Sequence, residues 1–444
     1  MDSLIPYLVA DIFLLAVIIL LISKNLSFWH PVTAYLFFHI YAFTTRCWAL
    51  IGGSLPMYAD ARTTREVIMP DELARAMLWA DVALVMFCLG AAIAQKRGTK
   101  HPFNPTERKP LSRNAILAVT AICLPIGLVA FTSIKAGFQV ASWMAESNYY
   151  ATAAMWPIAC LWGLVFLFGF RWYLLAPIAG YLIIVGLQGY HRVMLILPLI
   201  FFTAYYLQAK RRKWPGLLLL TAGLFLAIIF PSLKFVGRAY QSGNLDQMVQ
   251  LVKETFIKPE YKKQDESDEQ FLDQYAGALT MVDETGKTYN GSIYLSLITL
   301  PVPRSLWAGK PGLADHLEDV STSQRPYGQE GRIITYIGEA YFNFRYAGIL
   351  VVPFILGYSM TFWYVVASAG PIRRFNRFLY TVFFVSLIQV YRDGLTSLVL
   401  FTVIHHLPIM FIWIFHYLPG VVKNVQDPPV GHPLDLDDRY FRNS

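Results

Sequence analysis

Apolar runs of about twenty residues recur along most of the chain, separated by short linkers rich in Lys and Arg. A run of that length crosses a hydrocarbon core as one α-helix. The pattern leaves few folds open, because lipid cannot hydrogen-bond a peptide group and every backbone N–H and C=O must be satisfied internally. A membrane barrel needs short alternating segments instead, and the sequence has none. Composition agrees: of 444 residues, 56% are hydrophobic and 15% charged, with a mean hydropathy of +0.44. A soluble domain carries about 25% charged residues.

The expected fold is therefore an all-α polytopic membrane protein with about 11 transmembrane helices. The runs lie near 4–22, 31–51, 73–94, 114–134, 151–170, 173–188, 193–209, 215–233, 347–367, 378–391 and 395–418. The linker from Lys96 to Arg113 holds six basic residues against Glu107 alone, and KRRK at 210–213 and PIRRFNR at 371–377 are also basic. Under the positive-inside rule these linkers face the cytoplasm. Together with Arg171 they fall on one side only if the N-terminus is outside and the C-terminus inside. The domain plan is helices 1–8 over 1–233, a periplasmic loop over 234–346, helices 9–11 over 347–418, and a Pro-rich cytoplasmic tail over 419–444 that is expected to be disordered.

The net charge of +8 does not indicate nucleic acid, since the basic residues sit in the linkers. Cys47, Cys88, Cys123 and Cys160 lie in or beside apolar runs without a C-x-x-C or Cys/His ligand spacing, so neither disulfide nor metal is expected. The opening MDSLIPYLVADIFLL lacks a basic n-region and reads as a retained first span. No internal repeat of the kind built into many transporters is visible.

Within the loop, Leu245, Met248, Val249, Val252 and Phe256 have helical spacing behind a capping Asn244, the pattern of an interfacial helix. KPEYKKQDESDEQFLDQ reads as a solvated, mobile charge run. IYLSLITLPVP is too short to span and reads as a re-entrant or surface-lying segment. The stretch from Gly291 to Gly348 is rich in Arg, Lys, Glu, Asn and Tyr, and is the expected working face.

Three arginines stand near the outer membrane face: Arg46, Arg192 in GYHR, and Arg392 in YRDG. Arg46, near a span end, is expected to snorkel. Arg192 and Arg392 sit in hairpins too short to leave the membrane far, although Arg392 has Asp393 as an adjacent structural partner. With Arg238, Arg304, Lys310, Arg325 and Arg332 in the loop, they suggest an anionic ligand, and at this depth a lipid diphosphate. Glu339 in GEAYFNF is the candidate general base, sharing a helix face with Asn343; the alternative is an acid placed at a helix start for the dipole. His191 is the second candidate base, and His405-His406 is expected to serve packing. The chain has no phosphate-binding loop, D-x-D pair, H-E-x-x-H or G-x-S-x-G. That argues against an ATP-driven pump, a sugar-nucleotide transferase and a metalloprotease, and leaves a lipid-linked donor if the protein is an enzyme.

LPVPRSLWAGKPG followed by GEAYFNFRYAGILVVPFILG resembles bacterial O-antigen polymerases of the Wzy type, the oligosaccharide repeat unit polymerases. GLQGYHRVMLILPL is similar to their G-x-R hairpin and QVYRDGLTSLV to a later membrane arginine. Where that family often has Gly after N-F, this chain has Arg345. The resemblance implies glycosyl transfer at the periplasmic face of the bacterial inner membrane, moving a glycan on undecaprenyl diphosphate onto a second lipid-linked repeat unit. It implies Arg192, Arg304, Lys310, Arg332 and Arg392 on the diphosphate, Glu339 or His191 as base, and Tyr294, Trp307, Tyr336, Tyr341 and Asn343 on the sugars. It implies no metal or other cofactor; the partners are the donor and acceptor glycolipids, the bilayer and a chain-length regulator. A glycan ligase, a glycolipid flippase or other transporter, and a membrane acyltransferase or assembly subunit are the alternatives.

Overall fold

The computed structural model describes residues 2–23, 26–53, 68–100, 113–133, 153–169, 171–188, 192–210, 212–217, 220–221, 271–299, 302, 307, 334–369, 373–398, 402 and 404–417. Among them the chain is all-helical, with no strand. The interfacial helix expected at 245–256, most of the eighth run and the C-terminal tail lie outside these residues.

Among the described residues, four helices are long and apolar enough to cross a membrane, within Asp2–Ile22, Pro70–Arg97, Arg113–Ala130 and Thr335–Ala367. In chain order, α1 is Ile5–Ile22 and α2 is Pro31–His39; a π-helical turn, Ile40–Thr44, joins α2 to α3, Thr45–Ile51. Next come α4 (Pro70–Lys100), α5 (Arg113–Ser133), α6 (Trp156–Phe168), α7 (Trp172–Gln188) and α8 (Arg192–Ala209). The loop contributes α9 (Phe271–Thr285) and α10 (Ser292–Thr299). The chain then forms α11 (Thr335–Ala369), α12 (Arg373–Asp393), the short α13 (Thr396–Leu398) and α14 (Leu407–Tyr417). Within the run at 395–418, read as one span, the described residues form α13 and α14, and residues 399–401 and 403 lie outside the described residues.

The centre of the bundle is the pair α4 and α11. Ring contacts between Trp79 and Tyr346, with centroids 4.5 Å apart, begin the packing. Gly90 and Gly357 lie against the Phe354 and Phe87 carbonyls farther along, the small-residue approach by which membrane helices pack without a hydrophobic drive between them. Arg97 lies over the Tyr358 ring at the far end, so the two helices run parallel.

α11 is not one rod. Phe344 (φ −139°, ψ 15°) and Arg345 (φ 52°, ψ −138°) leave helical geometry and divide it into arms 335–343 and 346–369. The short arm folds back along the long one, because a Cβ on Gly348 would strike the Ala340 carbonyl. Eight residues separate these positions, which in a straight helix would lie about 12 Å apart. The approach to this helix is a helical hairpin. Its inner end is held by aromatic rings: Tyr35 is 5.5 Å from Tyr336, 5.0 Å from Tyr391 and 4.6 Å from Phe87, which ties α2, α4, α11 and α12 together.

The loop helix α9 corrects two expectations. Phe271, Leu272, Asp273 and Gln274 end the supposed solvated charge run, yet all four are buried. Arg46 does not snorkel: its Nε donates to Asp273 Oδ2 at 2.7 Å and its Nη2 to Oδ1 at 3.1 Å, and both side chains are buried. A buried arginine needs such a paired carboxylate, and removing one partner of such a pair costs about 3–5 kcal/mol. At the other end of α9, Asp283 accepts from Arg75 and from the Tyr341 hydroxyl. The acids of α9 therefore dock the loop on α3, α4 and α11.

The turn before α2 is built around a buried histidine. Pro31 starts the helix, and His30 caps it by accepting from the Val32 N–H through Nδ1 at 3.2 Å. Burial lowers the His30 pKa from its ordinary 6.5 to about 4. The folded state thus favours neutral imidazole; this stabilisation is present above pH 6.5 and lost as the pH falls toward 4, about 3 kcal/mol in all. In thermal denaturation, the wild-type midpoint should fall over that window more steeply than that of His30→Asn, whose amide can cap without titrating. Parallel pH profiles for the two proteins would contradict this role.

Candidate functional site

The folded-back arm carries the candidate base into the bundle. Glu339 sits midway along it and is 1% exposed. Asn343, one turn on, donates through Nδ2 to the Glu339 carbonyl at 2.9 Å, so the two share a face as their spacing predicts. Facing them is the turn after α12. Gly394 there has φ +94°, and any Cβ at this position would fall on the Glu339 carboxylate. The carboxylate therefore rests on bare backbone, two residues from Arg392.

Arg392 and Asp393 are half-buried and form an ion pair of 3.5 Å through the arginine Nε rather than its terminal amino groups. Gln389 donates to the other Asp393 oxygen. The structural partner expected for Arg392 is thus present, and the same turn meets Glu339. Tyr294 of α10 completes the group, with its phenol toward Asn343 and Glu339. Burial, helped by the Glu339 charge, holds that phenol well above its ordinary pKa, so it remains an O–H donor at physiological pH. The α10 helix is short, and Leu295 and Ile298 are exposed on it, consistent with a segment lying on the bundle's surface.

Around the buried Glu339 carboxylate lie the Gly394 backbone, the Asn343 carboxamide and the Tyr294 phenol of α10, while Arg392, two residues before Gly394, is paired with Asp393. A carboxylate in that place can accept a proton from a hydroxyl that reaches it.

Tyr336 and Tyr341 are fully buried, Tyr336 among the rings of Tyr35 and Tyr391, and Tyr341 against Tyr346 with its hydroxyl on Asp283. Trp307 is exposed and Arg192 begins α8. His191, Arg304, Lys310 and Arg332 lie outside the described residues. His405 and His406 are buried, and His406 stacks on Trp162 at 5.1 Å, in keeping with packing.

Sequence reasoning missed Gly394 as a neighbour of Glu339. The signal available was the RDG tripeptide itself, since a glycine ending a helix marks a left-handed residue on which another group can rest.

No family model matches the chain, and neither a curated protein nor a solved structure matches it significantly.

The hairpin has a direct test. Gly348→Ala forces a Cβ into the Ala340 backbone, an overpacking that costs about 1–3 kcal/mol, and should lower the thermal midpoint by several degrees. Gly180→Ala in α7, where a Cβ meets nothing, should leave the midpoint unchanged or raise it. Equal effects from the two substitutions would argue against the fold-back.

Proposed function

We propose that the protein is a metal-independent glycosyltransferase that polymerises oligosaccharide repeat units carried on a lipid diphosphate. The observation that carries this reading is the Glu339 carboxylate resting on the turn that bears Arg392. A hydroxyl acceptor needs a base, and a diphosphate leaving group needs fixed positive charge. Arg392 precedes by two residues the glycine on which that carboxylate rests, which supports the reading.

In the proposed reaction, Glu339 takes the proton from the acceptor sugar hydroxyl. The hydroxyl oxygen attacks the anomeric carbon of the donor glycan, and the bond from that carbon to the lipid diphosphate breaks. Arg392, joined by Arg192, Arg304, Lys310 and Arg332, stabilises the departing diphosphate. In this reading Tyr294 and Asn343, whose polar atoms face the same space, bind the incoming sugar, and Trp307 offers an exposed ring for stacking. His191 is the alternative base.

The proposed setting is the outer face of the bacterial inner membrane, with undecaprenyl-diphosphate-linked donor and acceptor and a chain-length regulator as partners. Eleven spans, with the N-terminus out and the C-terminus in, complete the topology. The parallel course of α4 and α11 supports that count, since the third and ninth spans of such a chain run in the same direction.

The test is purified protein incubated with a defined lipid-linked repeat unit, with products resolved by length. Glu339→Gln should lower kcat by about 10²–10⁴-fold with little change in KM, the signature of a lost base. Arg392→Ala should lower kcat/KM, with a partial return in Arg392→Lys. Normal chain extension by Glu339→Gln, or movement of the glycolipid across a vesicle membrane with no new glycosidic bond, would overturn the proposal.

A further inference from the structure

Far from Glu339 in sequence, three ionisable side chains meet inside the bundle. Asp11 of α1, His39 at the end of α2 and Asp81 of α4 place one ligand atom each within 4.8 Å of one another. Asp11 and His39 are fully buried and Asp81 is 9% exposed. Ionisable groups at such depth are expensive and mark function more often than packing.

Hydrogen bonding alone does not satisfy the cluster. His39 Nε2 is 3.0 Å from Asp11 Oδ1 and 3.3 Å from Asp81 Oδ1. A single Nε2–H can point at only one of them, and it serves Asp11. Asp81 Oδ1, buried and aimed into the same space, accepts no hydrogen bond. Charge is compatible with an ion here: a divalent cation balances two carboxylates and a neutral imidazole.

The backbone is bent to build this place. Thr44 Oγ1 donates to Asp11 Oδ2 at 2.7 Å while His39 holds the other oxygen. His39 and Thr44 are five residues apart, a spacing that the π-turn Ile40–Thr44 puts on one face and an α-helix does not. Such turns concentrate at functional sites. Thr44 thereby orients the Asp11 carboxylate, as the groups behind a metal ligand do. The nitrogen–oxygen separations also suit a metal: ligand bonds of about 2.0–2.2 Å in tetrahedral array set neighbouring donors roughly 3.3 Å apart.

We propose that Asp11, His39 and Asp81 form a binding site for one divalent transition-metal ion of the zinc type, pinning α1, α2 and α4 together. The donor set of one imidazole nitrogen and two carboxylate oxygens suits zinc, cobalt or manganese and leaves a coordination position open. The Asp81 side chain, 12% exposed, is the way in.

The experiment uses the full chain in detergent, stripped with chelator and titrated with Zn²⁺ or Co²⁺. The expected result is one ion retained per chain, a thermal midpoint raised by several degrees, and visible Co²⁺ absorption of low-symmetry type. Thr44→Val, which keeps all three ligands, should weaken binding about 10–100-fold, and Asp81→Asn should abolish it. If Asp81→Asn does not fold, Thr44→Val and the wild-type cobalt spectrum decide. A wild-type chain with no metal-dependent midpoint and only aqueous Co²⁺ absorption would overturn the proposal, as the mark of a cluster that merely shares a proton. Retention unaffected by both substitutions would overturn it as well.

Discussion

The fold-back at Phe344 and Arg345 is the constraint on which the centre of this molecule depends. A straight helix from Thr335 to Ala369 would carry Glu339 out beyond the bundle; the reversal carries it in. The reversal asks Arg345 to take a left-handed φ, a strain of about 1–3 kcal/mol for a residue other than glycine. It is held by contacts on both sides: Gly348 admits the Ala340 backbone, and Tyr336 is clasped by Tyr35 and Tyr391. Arg345 takes this left-handed geometry without being the residue that favours it, and the surrounding contacts enforce it.

Charge is distributed inside the bundle by the same logic. A low-dielectric interior tolerates ionised groups only with partners, and here the partners come from distant parts of the chain. Arg46 reaches Asp273, Arg75 reaches Asp283, and Asp11 reaches His39 and Thr44. The first two pairs anchor the loop helix α9 to the membrane helices, which brings α10 and Tyr294 to Glu339. The helices α9 and α10 are thus packed into the wall of the candidate site. The π-turn after His39 and the hairpin in α11 both depart from regular helix, and each sets a buried carboxylate.

The apolar helices were legible because run length is a local property: about twenty apolar residues need lipid wherever they occur. Glu339, Asn343 and Arg392 were legible as polar residues at the edges of such runs. Their meeting was not, since it depends on a backbone reversal written only as Phe344-Arg345 and a downstream glycine. Arg46 was misread because its partner, Asp273, stands 227 residues away in what looked like a charge run. Asp11 and Asp81 were each visible as lone acids in apolar helices, but periodicity cannot say that two lone acids share a histidine. Local pattern reports burial; pairing is a tertiary fact.

The central claim is that the Glu339 carboxylate lies on the Gly394 backbone. A double-mutant cycle on thermal stability measures that contact directly, using Glu339→Ala, Gly394→Ala and the double variant. The strain of a left-handed alanine at position 394 is common to both backgrounds and cancels. The overlap with the carboxylate is present in one background only. The account predicts that Gly394→Ala destabilises the wild type by at least about 1 kcal/mol more than it destabilises Glu339→Ala. Additivity within about 0.3–0.5 kcal/mol would mean that the two residues do not touch, and would contradict it.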